Sequence, residues 1–235
     1  QLSVKDKGGW DCLLTPELKE TFFKWASSVP KLRMYAVPRW WNTESTRDAE
    51  DISLHIFCDA ASTGFGAVAY RRVVGRNGEV FCTIVTSRAH VVPLNSAKAS
   101  HHNSIPRLEL TAAEKGTQLR QFIKTSVGTF KEVVFWTDSE CVLKMINDTS
   151  TRFKLFYANK LSKIAAASEE KEWMHVDSAR NTADFCSRGL QAHEEEKWRL
   201  FHRGPEFLWK QRSEWPTQNT LTQAPKVEVL AVSAR

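Results

Sequence analysis

Long apolar runs are missing from this 235-residue chain: nothing approaches the roughly eighteen consecutive apolar residues of a membrane-crossing helix. The opening Gln1-Leu2-Ser3-Val4-Lys5-Asp6 lacks the apolar block of a secretory signal. It also lacks an initiator Met, as expected of a piece of a longer chain. Cysteine is sparse and unpatterned. Cys12, Cys58, Cys82, Cys141 and Cys186 are odd in number and nowhere form C-x-x-C. That argues against a disulfide framework or a Cys-rich zinc site and fits a reducing compartment. Internal repeats and low-complexity tracts are absent too. What remains is a globular balance, 42% hydrophobic and 26% charged, sufficient for a real core. The net charge of +6 permits a polyanionic partner without demanding one.

Tryptophan is abundant and unevenly placed. Trp10, Trp25, Trp40 and Trp41 precede residue 50, Trp198, Trp209 and Trp215 follow residue 190, and only Trp136 and Trp173 lie between. Residues 1–50, 51–190 and 191–235 read as three zones, the flanking Trp residues packing the outer two onto the middle one. In the first, Thr15 and Pro16 open a helix as N-cap and first position. Leu18, Phe22 and Trp25 share its face. An extended piece over Leu32–Val37 and a polar linker over 42–51 follow.

The middle zone carries the clearest order. Strands are expected at Leu54–Asp59, Phe65–Val74 and Glu79–Thr86. Asn77-Gly78 predicts a type I′ hairpin turn between the last two. After a polar stretch, Ser87 to Asn103, a helix begins at Ser104 with the stripe Leu108, Ala112, Gly116, Leu119 and Ile123. Val133–Thr137 is a fourth strand, and Asp138 opens a helix with Val142, Met145 and Ile146 inward. Residues 152–166 form another helix, Glu172–Val176 a fifth strand and Thr182–Ser187 the start of a last helix. A helix is possible over His193–Trp198. A meander followed by α/β crossovers predicts an α/β fold: a mixed five-stranded sheet, three strands antiparallel and two added in parallel, flanked by helices.

Four acids fall at special places. Asp59 ends the first strand, Glu109 lies in the first turn of the first sheet-covering helix, Asp138 follows the fourth strand, and Asp184 opens the last helix. In open α/β sheets, strand ends and the adjoining helix starts face one crevice. Carboxylates crowded there repel unless cations neutralise them. Hard divalent ions such as Mg²⁺ suit oxygen ligands. Two such ions about 3.5–4 Å apart can clamp the attacking and leaving oxygens of a phosphodiester. Each acid also has an ordinary reading: Asp138 and Asp184 as N-caps, Glu109 as a dipole-favoured surface residue. Asp59 is harder to dismiss, because it follows Leu54-His55-Ile56-Phe57-Cys58 and an unpaired buried charge is costly.

Four motifs in order carry a resemblance. Ile56 to Tyr70, with Asp59-Ala60-Ala61-Ser62-Thr63-Gly64-Phe65-Gly66-Ala67-Val68 at its centre, resembles the opening hairpin of retroelement ribonuclease H domains. Ile105-Pro106-Arg107-Leu108-Glu109-Leu110, Phe135-Trp136-Thr137-Asp138-Ser139-Glu140 and Asn181-Thr182-Ala183-Asp184-Phe185-Cys186-Ser187-Arg188-Gly189-Leu190 resemble segments of the BEL/Pao class of LTR retrotransposons. Gly9-Trp10-Asp11 and Val37-Pro38-Arg39 are similar to the connector after the polymerase. Gly204-Pro205-Glu206-Phe207-Leu208 and Trp215-Pro216 are similar to the segment leading toward integrase.

The resemblance implies a ribonuclease H-like domain over 51–190, a connector over 1–50 and an extension toward integrase over 191–235. It implies a site of two Mg²⁺ ions, with Mn²⁺ as substitute, held by Asp59, Glu109, Asp138 and Asp184. Asp59 bridges both ions, Asp184 holds the one that activates water, and Glu109 and Asp138 hold the one near the leaving oxygen. The substrate implied is the RNA strand of an RNA–DNA hybrid, cleaved during reverse transcription, with product 5′-phosphates. Implied partners are the reverse transcriptase and integrase portions of a Pol polyprotein, with no membrane, in a cytoplasmic virus-like particle or the nucleus. Candidate hybrid-contacting residues are Ser62, Arg107, Ser139, Arg152, Lys160, Lys163, Arg180 and Asn181; Arg152, Lys160 and Lys163, with Lys154, fall where no acid occurs between 152 and 168.

One departure stands out. The loop Asp177-Ser178-Ala179-Arg180-Asn181-Thr182 lacks the mobile His found in many ribonucleases H, and His175, inside the expected strand, reads as structural. Two rivals therefore stay open: a weak or inactive module of the same fold that binds nucleic acid or protein, and an integrase-like nuclease using Glu169, Glu170 or Glu172. His101-His102 reads as a polar loop, since adjacent residues do not share a helix face.

Overall fold

The strand-forming residues of the middle zone build one sheet in the computed structural model, which describes residues 13–36, 49, 51–92 and 104–217. Gly9-Trp10-Asp11, Cys12, Val37-Pro38-Arg39, Trp40, Trp41 and His101-His102 lie outside the described residues, as does the 42–48 part of the linker. The strands are β1 (Asp51–Ala60), β2 (Gly64–Val74), β3 (Val80–Val91), β4 (Glu132–Thr137) and β5 (Trp173–His175), in the spatial order β3-β2-β1-β4-β5. β1 pairs antiparallel with β2, and β2 with β3. β4 adds parallel to β1, and β5 parallel to β4. This is the mixed sheet expected from the element order.

Both faces of the sheet are covered, which is why β1 reads as a near-continuous apolar run. Leu54, Ile56 and Cys58 face the helix α2 (Ile105–Ser126), whose stripe Leu108, Ala112, Leu119 and Ile123 is buried. α3 (Glu140–Asn147) and α4 (Leu155–Ala167) complete that layer with Val142, Met145, Tyr157 and Ile164, against which Ile146 packs half-buried. Phe57, Val68, Tyr70 and Trp136 point the other way. There α5 (Asp184–Arg188) and the chain beyond α6 (Glu195–Arg203) cover them, with Phe207, Leu208 and Trp215 buried in the same cluster. Arg72 fastens this C-terminal segment, donating to the Leu208 carbonyl at 2.8 Å and the Lys210 carbonyl at 2.9 Å.

Several local expectations are corrected. The β2–β3 turn is not type I′: among the described residues no non-glycine has positive φ, so Asn77 does not adopt it, while Gly78 does at 78°. Gly78 N–H donates to Gly75 O and Gly75 N–H to Glu79 O, the pattern of a three-residue loop with a left-handed last position. β3 runs on through Ser87–Val91, read from composition as part of a polar stretch, because pairing of Gly64 with Val91 and Ala67 with Arg88 extends the ladder. Leu32–Met34 is not extended: Val29–Met34 is a 3₁₀ helix with Pro30 in its first turn, where the fixed φ of proline is tolerated. The preceding helix α1 (Pro16–Ser28) is capped by Thr15 as expected, yet it buries no residue among those described. The helix expected from 152 begins at Leu155.

Candidate metal centre

The parallel pairing of β1 and β4 aligns Cys58 with Thr137, so the next residues, Asp59 and Asp138, leave neighbouring strands at the same end of the sheet. α5 brings Asp184 to this end by lying directly on β2. A Cβ on Gly66 would stand 2.7 Å from the Cβ of Cys186 and 2.3 Å from the Arg88 carbonyl oxygen, so only glycine admits this approach. α2 begins here as well. Ser139 Oγ donates to Glu109 Oε2 at 2.6 Å, tying α2 to the start of α3; α2 begins at Ile105, so Glu109 lies just past its first turn and not within it as expected.

Each carboxylate has a partner. Asp59, 9% exposed, accepts from the Ser187 hydroxyl of α5. Asp138 accepts from Ser178 Oγ at 2.6 Å and from the Asn181 side-chain amide at 3.1 Å, and the same amide donates to the Cys58 carbonyl at 3.0 Å. Asp184 pairs with Arg188 one helical turn later. Burial pushes the Asp59 carboxyl up to about 6; the Ser187 bond and Arg188 oppose the rise, and the charges of Asp138 and Asp184 add to it. Burial also raises Glu109, as does the charge of Asp138, against the bond from Ser139. Asp138 thus acts on both Asp59 and Glu109, and Asp184 on Asp59.

The donor set is all oxygen, half-buried and short of positive charge, which suits hard divalent cations. Among the described residues, no group of three or more His, Cys, Asp or Glu stands in ligating position. Asp184 is turned to Arg188, and Asp138 to Ser178 and Asn181. The fit to metal therefore lies in the chemistry and the shared location of the donors, with Arg188 standing in as the local cation.

Neither Asp138 nor Asp184 is an N-cap. Ser139 caps α3, accepting from the Val142 N–H at 3.2 Å, and Ala183 occupies that position before α5. The other candidates divide. Ser62, Arg152 and Arg180 are exposed, Arg180 in an ion pair with Asp177. Arg107 lies over the Phe156 ring at 3.9 Å. Asn181 and Ser139 are buried and hold the acids. Lys160 and Lys163 both pair with Glu114 of α2, which is 2% exposed, so their acid lies elsewhere in the chain. Sequence reasoning missed Ser178, Ser187 and Arg188; the i+3 and i+4 spacing of the last two from Asp184 was the available signal. His175 is half-buried in β5, and the loop after it holds no His.

Glu169, Glu170 and Glu172 precede β5 at the opposite end of the parallel strands. Glu172 accepts from Arg120, eleven residues along α2 from Glu109, or roughly 16 Å of helix. They lie away from Asp59 and Asp138, which removes the integrase-like arrangement.

Comparison with a family of known sequences points the same way as the motifs. A sequence model described as the Pao retrotransposon-like RNaseH-like domain matches residues 1–139, which include Asp59, Glu109 and Asp138. No curated protein matches. Among solved structures, the N-terminal RNase H domain of Mycobacterium tuberculosis Rv2228c, determined as a fusion with maltose-binding protein, is 14% identical with a TM-score of 0.39, over 59% of this chain and 92% of that one. RNase H1 of Halobacterium salinarum is 14% identical with a TM-score of 0.36, over 59% and 95%. LC11-RNase H1 in complex with an RNA/DNA hybrid is 14% identical with a TM-score of 0.35, over 59% and 94%.

Proposed function

The chain belongs to the Pao retrotransposon-like RNaseH-like domain family, and on that premise we propose that it is a ribonuclease H, cutting the RNA strand of RNA–DNA hybrids during reverse transcription. The observation that carries the reading is Asp59: a strand-end carboxylate, 9% exposed, facing the charges of Asp138 and Asp184. Such crowding is costly without a compensating cation.

Asp59, Glu109, Asp138 and Asp184 would hold two Mg²⁺ or Mn²⁺ ions. Bound there, the ions would supply an activated water and neutralise charge developing on the leaving oxygen. The chain's own contribution is orientation. Ser187 fixes the Asp59 carboxylate, Ser139 fixes Glu109, and Ser178 with Asn181 fixes Asp138. Asn181 also holds the Cys58 carbonyl, so the loop before α5 is registered against β1 directly beside Asp59. Exposed Arg152 and Arg180 are the candidates for phosphate contact. Lys160 and Lys163 would have to leave Glu114 to join them. The polymerase and integrase portions of a polyprotein are the proposed partners, in a virus-like particle.

The test is cleavage of a labelled hybrid with Mg²⁺ or Mn²⁺. Asp59→Asn and Asp138→Asn should each lower the rate by on the order of a hundredfold or more, with the fold intact by circular dichroism. Undiminished cleavage in both variants excludes this site. Mn²⁺ binding without turnover would favour a non-catalytic binding module.

A further inference from the structure

Among the described residues, Arg188 is the one cation side chain paired with a candidate ligand. Its Nε–H donates to Asp184 Oδ1 across one turn of α5, and its charge also acts on Asp59 and Asp138. Both partners of the ion pair are accessible, the Arg188 side chain 66% exposed and that of Asp184 41%. An exposed pair of this kind adds little to stability. Its effect on the acids is larger in kind, since it holds one oxygen of Asp184 and its charge opposes the rise at Asp59. Arg188 sits at the last residue of α5, beside Gly189 at a φ of 86°, where the helix ends. A long side chain there can swing away without disturbing the sheet.

We propose that Arg188 is an internal counter-ion for the metal centre. Without metal its guanidinium neutralises Asp184. For Asp184 to ligate, that ion pair must open, so Arg188 competes with the divalent ion and sets its affinity. This rests on the metal reading given above and adds a positioning residue to it. The competition has two parts: the Asp184 oxygen that the ion must win, and the repulsion between a divalent cation and a guanidinium at the same end of the sheet. Among the described residues, Asp59, Glu109 and Asp138 are not held by a cation side chain in this way; their partners are hydroxyls and an amide.

The experiment is calorimetric titration of MnCl₂ into the full chain without nucleic acid, which reads affinity independently of turnover. Arg188→Met should lower the Kd roughly three- to tenfold, by removing the competitor and its charge. Arg188→Lys, which keeps the charge, should stay close to wild type. In an Asp184→Asn background the gain from Arg188→Met should shrink to the part owed to charge repulsion, because the contested carboxylate is gone. A wild-type chain that binds Mn²⁺ while Arg188→Met binds it equally or more weakly overturns the proposal and leaves the metal site standing. If neither wild type nor any variant takes up Mn²⁺, the metal reading fails and the proposal with it.

Discussion

His55 shows how much a single buried side chain commits this protein to a pH range. It is fully buried in β1, accepting from Trp136 Nε1 at 3.1 Å on Nδ1 and within 3.0 Å of Ser53 Oγ on Nε2. Trp215 meets its ring edge-on at 5.0 Å. Burial, reinforced by the charges of Arg72 and Arg212, pulls its pKa down to about 3. A His with a depressed folded pKa contributes stability that is present above its unfolded pKa near 6.5 and is lost as pH falls toward 3. Between pH 7.5 and 4.5 the loss from this residue alone should reach about 2–3 kcal/mol. Urea unfolding of wild type and His55→Gln at the two pH values measures it. The variant starts from lower stability but should lose less on acidification; parallel losses in both proteins would show that His55 is not the source.

At the scale of elements, the close seating of α5 on the β-sheet governs the acid site. Gly66→Ala should force α5 and β3 away from β2, costing about 1–3 kcal/mol. It should weaken Mn²⁺ binding as well, because Ser187 and Asp184 ride on α5. Thermal melting and calorimetry on the same variant check both; a destabilised protein with unchanged metal affinity would separate α5 from the site. The elements themselves were largely legible. Apolar runs bounded by turn signals such as Asn77-Gly78, and the Leu108–Ile123 stripe, locate the strands and α2, and Asp59, Asp138 and Asp184 stand out because each sits at an element boundary. What composition could not show was long-range pairing. Ser87–Val91 looks like a loop until the partner strand is known. Lys160 and Lys163 look unpaired because Glu114 lies 46 residues from the nearer one. The stripe Leu18, Phe22 and Trp25 predicts a face without saying what covers it, and among the described residues Trp25 is 61% exposed.

Across the whole molecule, the C-terminal segment belongs to the core of the sheet. Phe207, Leu208 and Trp215 fill the second face together with Phe57, Val68, Tyr70 and Trp136. Arg72 is spread over the Trp215 ring at 5.1 Å while it holds two backbone carbonyls of the segment. Trp215→Ala should therefore cost about 3–5 kcal/mol in one cooperative unfolding transition. An unchanged urea midpoint would mean that this segment is an appendage. The account as a whole turns on whether Asp59, Glu109, Asp138 and Asp184 act together on divalent cations. The most direct measurement is anomalous diffraction at the manganese edge from crystals of the chain soaked in MnCl₂. Two anomalous peaks, each within ligating distance of carboxylates from this set and with Asp59 touching both, are predicted. Well-ordered carboxylates with no peak between them, or manganese found only elsewhere on the molecule, would contradict it.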